Sequence, residues 1–240
     1  TQAGQFQVII GNTVSDFYND FIAVSGIDGV SKDAVKSAAK QNQNALQKVM
    51  SVLAEIFAPL IPAIVYAGIS GSFRVVFGAI FGFVYAPLVI TGLHHMSNAI
   101  DMQLIADFGG TMLWPMIALS NIAQGSAVLG MIYLQRKNAA AQEVNVPSCI
   151  SCYLGVTEPA MFGVNLKFHF PFICGMIGSA IAAVVCVATS TTANAIGVGG
   201  IPGILSIQPA YMLSFALCMA IAIVVPFVLT VSVGKKKGIA

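Results

Sequence analysis

Charge is what this sequence lacks most. Of its 240 residues, 57% are apolar and only 8% are Asp, Glu, Lys or Arg, against about 25% in an ordinary soluble domain. From Phe168 to Gly234 there is no charged side chain, and Phe108 to Gln135 is equally bare. A water-exposed surface needs polar cover, so the composition excludes a soluble enzyme. It also excludes a nucleic-acid-binding domain and a disordered chain. The net charge of +2 is too small to imply an anionic partner. Neither is there a disulfide framework: Cys149, Cys152, Cys174, Cys186 and Cys218 lie in or beside apolar segments, where cysteine acts as a small hydrophobe. The first eleven residues lack the basic start of a signal peptide.

The charge present is crowded. Residues 1–48 hold eight of the twenty charged side chains. Residues 1–28 read as the end of a soluble α/β domain, with a strand at Phe6–Ile10 and a helix over Asp16–Val24. The chain starts within what reads as a strand, as a fragment would. Residues 29–50 read as a polar linker and amphipathic helix, capped by Ser31. Residues 51–240 read as an all-α polytopic membrane domain.

A spanning helix needs about 20 apolar residues. Five stretches qualify: 52–73, 75–93, 111–134, 171–191 and 211–233. Two more are apolar but punctuated. Residues 144–165 contain Pro147, Gly155, Pro159 and Gly163; residues 193–209 contain four glycines and two prolines. Irregular backbone at membrane depth survives only inside protein or beside a watery cavity, so both are expected to be re-entrant or broken segments near a solute path. Basic residues mark cytoplasmic loops. The linker lysines, Arg136-Lys137 and Lys235-Lys236-Lys237 orient four spans consistently, with both termini cytoplasmic. Span 75–93 breaks the parity. Either 75–110 re-enters, or an odd number of spans is missing between 62 and 93.

Few side chains in these segments can do chemistry. Glu158 is a lone carboxylate in Gly155-Val156-Thr157-Glu158-Pro159, and an intramembrane carboxylate is functional by default; the plain alternative is a Glu at a wet interface. His94 and His95 end an apolar run. Each alone reads equally as a hydrogen-bonded core histidine, and without a third ligand they do not match a zinc site. Together with Glu158 they suit a polyol, whose hydroxyls both donate and accept. The Cys149-x-x-Cys152 pair lacks a second pair and reads as packing. Asp101 is either a solvated residue or a support for the site. Asn121 and Gln124, with Ser120 and Ser126, place polar groups within span 111–134, more often as helix–helix hydrogen bonds than as ligand contacts.

Four motifs occur in order: Gly92-Leu93-His94-His95, Ala118-Leu119-Ser120-Asn121-Ile122-Ala123-Gln124-Gly125, Gly155-Val156-Thr157-Glu158-Pro159 and Ile196-Gly197-Val198-Gly199-Gly200-Ile201-Pro202-Gly203. Over about 76–233 the chain resembles the membrane enzyme IIC of the bacterial phosphotransferase system, in the glucose–sucrose–trehalose group. Tyr85 to Gly92 is most similar to trehalose-type IIBC proteins, with sucrose and β-glucoside types next. Residues 1–28 are similar to the end of the fused cytoplasmic IIB domain.

The resemblance implies a homodimeric permease in the bacterial inner membrane, with a scaffold and a moving substrate domain. A sugar would bind near the midplane and take a phosphoryl group from a IIB phosphocysteine, itself charged by a IIA protein. It implies that His94, His95 and Glu158 bind the sugar, with Gly155, Thr157 and Asn121 beside them, and that Glu158 binds or deprotonates the accepting hydroxyl. No cofactor or metal is expected. None of the five cysteines matches the phosphocysteine, so the enzymatic parent would be a phosphotransferase that this chain alone is not. Related IIC domains carry several more helices where Val65–Arg74 stands here, the interval in which the parity fails. An Arg found upstream of the His pair in glucose and maltose types is replaced by Tyr85-Ala86-Pro87. The rival readings are a non-phosphorylating secondary transporter or channel, and a non-functional truncated remnant.

Overall fold

A computed structural model describes residues 73–239. The expected IIB-like segment 1–28, linker 29–50 and span 52–73 lie outside the described residues. Six helices make the frame: α1 (Arg74–Thr91), α2 (His95–Phe108), α3 (Leu113–Leu134), α4 (Ala139–Tyr153), α5 (Phe170–Ala188) and α6 (Met212–Lys236). Among the described residues four helical stretches are long and apolar enough to cross a membrane: α1, α3, α5 and Pro209–Lys236, which includes α6. They match four of the five spans read from sequence. The chain is an all-α polytopic membrane protein, with isolated β-bridges but no strand among the described residues.

Helix α3 is the central post, its side chains buried almost all round. It packs against α1, α4, α5 and α6. Small residues set the approach, as they do where lipid gives helices no hydrophobic drive to associate. Gly78 and Gly82, one turn apart on α1, face Ala183–Val187 and Ser179–Ala183 of α5, where a Cβ would come within 2.7–2.9 Å of its neighbours. The rising α1 numbers meet falling α5 numbers, so the two helices are antiparallel. Gly130 against Thr230 and Gly234 against Leu134 show that α3 and α6 are parallel. Polar ties are few and buried. Asn165 Nδ2 donates to Gln124 Oε1 at 2.7 Å, and Gln124 Nε2 donates to the Phe172 carbonyl at 3.3 Å. Gln124 and Ser126 thus make the inter-segment bonds expected of them, the latter to Tyr153 Oη at 3.0 Å.

The ends of the spans sort the charge. Arg136 and Lys235 both lie over the Tyr133 ring, and Lys237 lies over Phe170. The basic residues after α3 and at the end of α6 therefore share one end with the start of α5. The other end is closed by backbone pairing: Thr111 and Ala193 exchange N–H···O bonds at 2.9 and 2.8 Å.

Both ends of residues 74–110 lie at one end of the bundle. Arg74, at the start of α1, donates to Ser190 Oγ at 3.0 Å, so α1 begins at the Thr111 end. Helix α2 returns there, since Asp101 accepts from Thr111 Oγ1 at 2.6 Å. Gly92 and Gly109, both left-handed, end the two helices. Residues 74–110 are thus a hairpin that enters and leaves at one end.

A second hairpin enters from the basic end. At its base on α4, Gln142 Nε2 donates to the Ile132 and Gln135 carbonyls, and Asn145 Nδ2 donates to Gln135 Oε1. At its tip Cys152 Sγ donates to the Asn121 carbonyl at 3.1 Å. The chain then turns at Leu154–Thr157 and returns through Glu158–Ala160, a π-helical turn at Met161–Asn165 and Leu166–Phe168. One correction follows for the punctuated stretch 144–165. Pro147 sits inside α4 without ending it, and the break starts only at Leu154. Residues 193–209 are irregular as expected, apart from short 3₁₀ turns.

Candidate functional site

The hairpin tips meet halfway along α3. Asn121 lies eight residues into that helix, about 12 Å along it. Its Nδ2 donates to the Gly155 carbonyl at 3.4 Å. Gly155 has φ +100°, a conformation costly to any residue with a Cβ. A Cβ there would also come 2.8–2.9 Å from the backbone of Gly199, and one on Gly199 would collide with the Asn121 amide. The two punctuated segments therefore cross backbone to backbone, a contact that only glycine permits.

A cavity of about 160 Å³ opens where the three segments meet. All six residues named from the sequence line it: His94, His95, Asn121, Gly155, Thr157 and Glu158. Thr157 and Asn121 are buried at its wall, whereas Glu158 and His95 are exposed at its mouth. Among the described residues Glu158 is the only carboxylate in the lining. The two imidazole rings lie with centres 4.0 Å apart and planes tilted by 38°. A neutral imidazole has one donor and one acceptor, and His94 Nδ1 is buried with no protein partner.

Sequence reasoning missed part of the lining. Trp114, Ile117, Val89 and Asn98 belong to it, as do Tyr85 and Gly199, which the sequence had named without a site role. Trp114 matters most. It is almost fully buried, and its Nε1 is a buried donor with no hydrogen-bond partner in the protein. The available signal was that it is the sole tryptophan, placed at the start of a bare apolar run. Tyr85 lines the cavity at the place where the resemblance lost an Arg.

Other named residues lie elsewhere. Asp101 is fully buried and supports α3: Thr111 Oγ1 donates to it and accepts from the Leu113 N–H at 3.0 Å. Cys149 and Cys152 spend their thiols on carbonyls of α3, at 3.4 and 3.1 Å. No cluster of three or more metal-ligating side chains occurs among the described residues.

Fold and site together define a class: a helical integral membrane protein whose cavity is built from the tips of two helical hairpins beside α3. Comparison with known proteins narrows this. Residues 46–179, more than half of the chain, match the family model of the phosphotransferase system, EIIC; the chain belongs to that family. It is 58% identical over 168 residues to the trehalose-specific EIIBC component of Escherichia coli strain K12, covering 70% of this chain and 35% of that protein. To the trehalose-specific EIIBC component of Bacillus subtilis strain 168 it is 48% identical, covering 70% and 36%. The sucrose-specific EIIBC component of Pasteurella multocida strain Pm70 is also 48% identical, covering 66% of this chain and 34% of that protein. The chain thus spans about a third of the length of these curated relatives. No solved structure matches it.

Proposed function

We propose that this chain supplies the sugar-binding and translocating site of a phosphotransferase-system permease, with trehalose as the leading sugar. The carrying observation is the convergence of His94, His95, Asn121, Thr157 and Glu158 on one cavity at mid-helix depth. Its chemistry suits a polyol. Glu158 accepts from hydroxyls, Trp114 donates to them, and a neutral His94 does both. Indole and phenol rings at Trp114 and Tyr85 add apolar faces for a sugar ring. Similarity to trehalose-specific proteins favours trehalose; sucrose is the rival substrate.

In this reading the basic end is cytoplasmic and the membrane is the bacterial inner membrane. Residues 1–28 end a IIB domain, 29–50 are its linker, and the permease works as a homodimer with IIB and a IIA protein. The phosphoryl donor is the IIB phosphocysteine. As a sugar hydroxyl oxygen bonds to phosphorus, the S–P bond breaks and the hydroxyl proton is released. Glu158 accepts the hydrogen bond of that hydroxyl and holds it in place. A binding screen of the chain in lipid nanodiscs tests this across trehalose, sucrose, maltose, N-acetylated sugars and glucose. Saturable binding of a disaccharide supports the reading; no sugar affinity in a monodisperse, folded chain overturns it.

A further inference from the structure

A second cavity lies far from the first. It holds about 500 Å³ where the ends of α3 and α6 come together, and is lined by Arg136, Lys137, Lys235, Tyr133, Gln135 and Asn138 among others. No carboxylate is among the described residues that line it. Two cations share one ring: Arg136 Cζ stands 5.2 Å from the Tyr133 ring centre and Lys235 Nζ 5.9 Å. Like charges gathered in this way repel unless an anion lies between them.

The neutral groups point the same way. Gln135 Oε1 already accepts from Asn145, and Asn138 Oδ1 from the Ala141 N–H. Each amide NH2 group is still free to donate. Three cations and two amide donors thus surround one opening.

Basic residues at a helix end have ordinary causes, the helix dipole and the orientation rule. Those causes explain Lys236, which does not line the cavity. They do not explain a cavity between the cations, or two cations on one ring. Arg136 lies fifteen residues beyond Asn121, about 22 Å along the helix axis, so this is not an annex of the sugar cavity. It lies at the ends of two spans, where phosphate headgroups of a bilayer would be.

We propose that the Arg136–Lys137–Lys235 cavity is a binding site for a phosphate-bearing anion at the membrane surface. Arginine forks onto phosphate oxygens and the lysines add point charges. An anionic phospholipid headgroup and free inorganic phosphate share this chemistry, and the span-end location favours the lipid. The proposal does not depend on the sugar reading.

The test uses the whole chain in phosphatidylcholine nanodiscs. In one arm phosphatidylglycerol is mixed in, and retained lipid is measured by native mass spectrometry. In the other, inorganic phosphate is titrated and its effect on thermal unfolding recorded. The expected result is at least tenfold preferential retention of phosphatidylglycerol. Arg136→Gln with Lys235→Gln should abolish it, Lys137→Gln should weaken it, and Lys236→Gln should leave it unchanged. Saturable stabilisation by millimolar phosphate, lost in the double variant, would assign the site to the soluble ion. No preference in either arm overturns the proposal. So does a loss in Lys236→Gln equal to that in the double variant, which would mean diffuse surface charge.

Discussion

Replacing Gly155 by Ala tests the crossing that builds the cavity proposed to hold sugar. Two costs combine. A residue with a Cβ at φ +100° carries backbone strain of about 1–3 kcal/mol. The new methyl also comes 2.8–2.9 Å from the N, C and Cα atoms of Gly199. These are backbone atoms, which cannot swing aside as a flexible side chain would, and Gly199 is itself backed by Asn121. Such overpacking adds about 1–3 kcal/mol. The sum is about 2–6 kcal/mol, and about 1.4 kcal/mol is a factor of ten in an equilibrium. If relief comes from parting the two segments, sugar affinity should fall at least about thirtyfold. Gly92→Ala is the matched control. Its φ is +77°, but nothing lies within 4 Å of the added carbon. Only the conformational cost applies, about 1–2 kcal/mol, so the loss should be visibly smaller. The assay is equilibrium sugar binding in nanodiscs, with thermal unfolding followed in parallel. Equal effects of the two substitutions, or undiminished binding by Gly155→Ala, would refute the crossing as the wall of the site.

Three further outcomes follow from the same geometry. Trp114→Phe keeps a ring but removes an N–H that has no protein partner; sugar affinity should drop about tenfold, the worth of one hydrogen bond of about 1 kcal/mol or somewhat more, while thermal stability stays within about a degree or two, and unchanged affinity would show that the indole donor does not face the ligand. Cys149→Ser with Cys152→Ser should leave uptake by a full-length permease containing this segment largely intact, because a hydroxyl can also donate to the α3 carbonyls; a loss of most activity would revive metal or redox chemistry. For Asp101, burial pushes the carboxyl from 3.8 to about 6. The folded chain therefore holds this proton more tightly than the unfolded chain. Asp101's contribution to stability falls as pH rises from about 4 to about 6 and is level above, a change on the order of 3 kcal/mol. Wild type minus Asp101→Asn, measured by thermal unfolding across that range, should show this slope, and parallel curves would contradict it.

Much of the site was legible because membrane segments tolerate so few polar or irregular residues. A lone carboxylate, a His pair and two Gly/Pro-rich stretches stand out against a bare background, and all of them reach one cavity. The hairpin at 74–110 was visible only as a failure of parity, since charge counting gives the side of a loop but not the path between loops. What stayed hidden depends on distant contacts. Gly155 and Gly199 are 44 positions apart, and nothing local says that their backbones touch. Trp114 looks like one more apolar residue until its Nε1 is found without a partner. Asp101 could be settled only by seeing Thr111 close on it.

The central claim is that Glu158, at the tip of the second hairpin, holds a sugar hydroxyl. The most direct measurement is trehalose binding by isothermal titration to the chain in nanodiscs, comparing wild type with Glu158→Gln and Glu158→Ala. Because the side chain is exposed at the cavity mouth, neither substitution should move the unfolding temperature by more than about a degree or two. A charge-assisted hydrogen bond is worth about 1.5–3 kcal/mol, so affinity should fall by a factor of about ten to a hundred in both variants. Wild-type trehalose affinity in a folded Glu158→Ala chain would contradict the account.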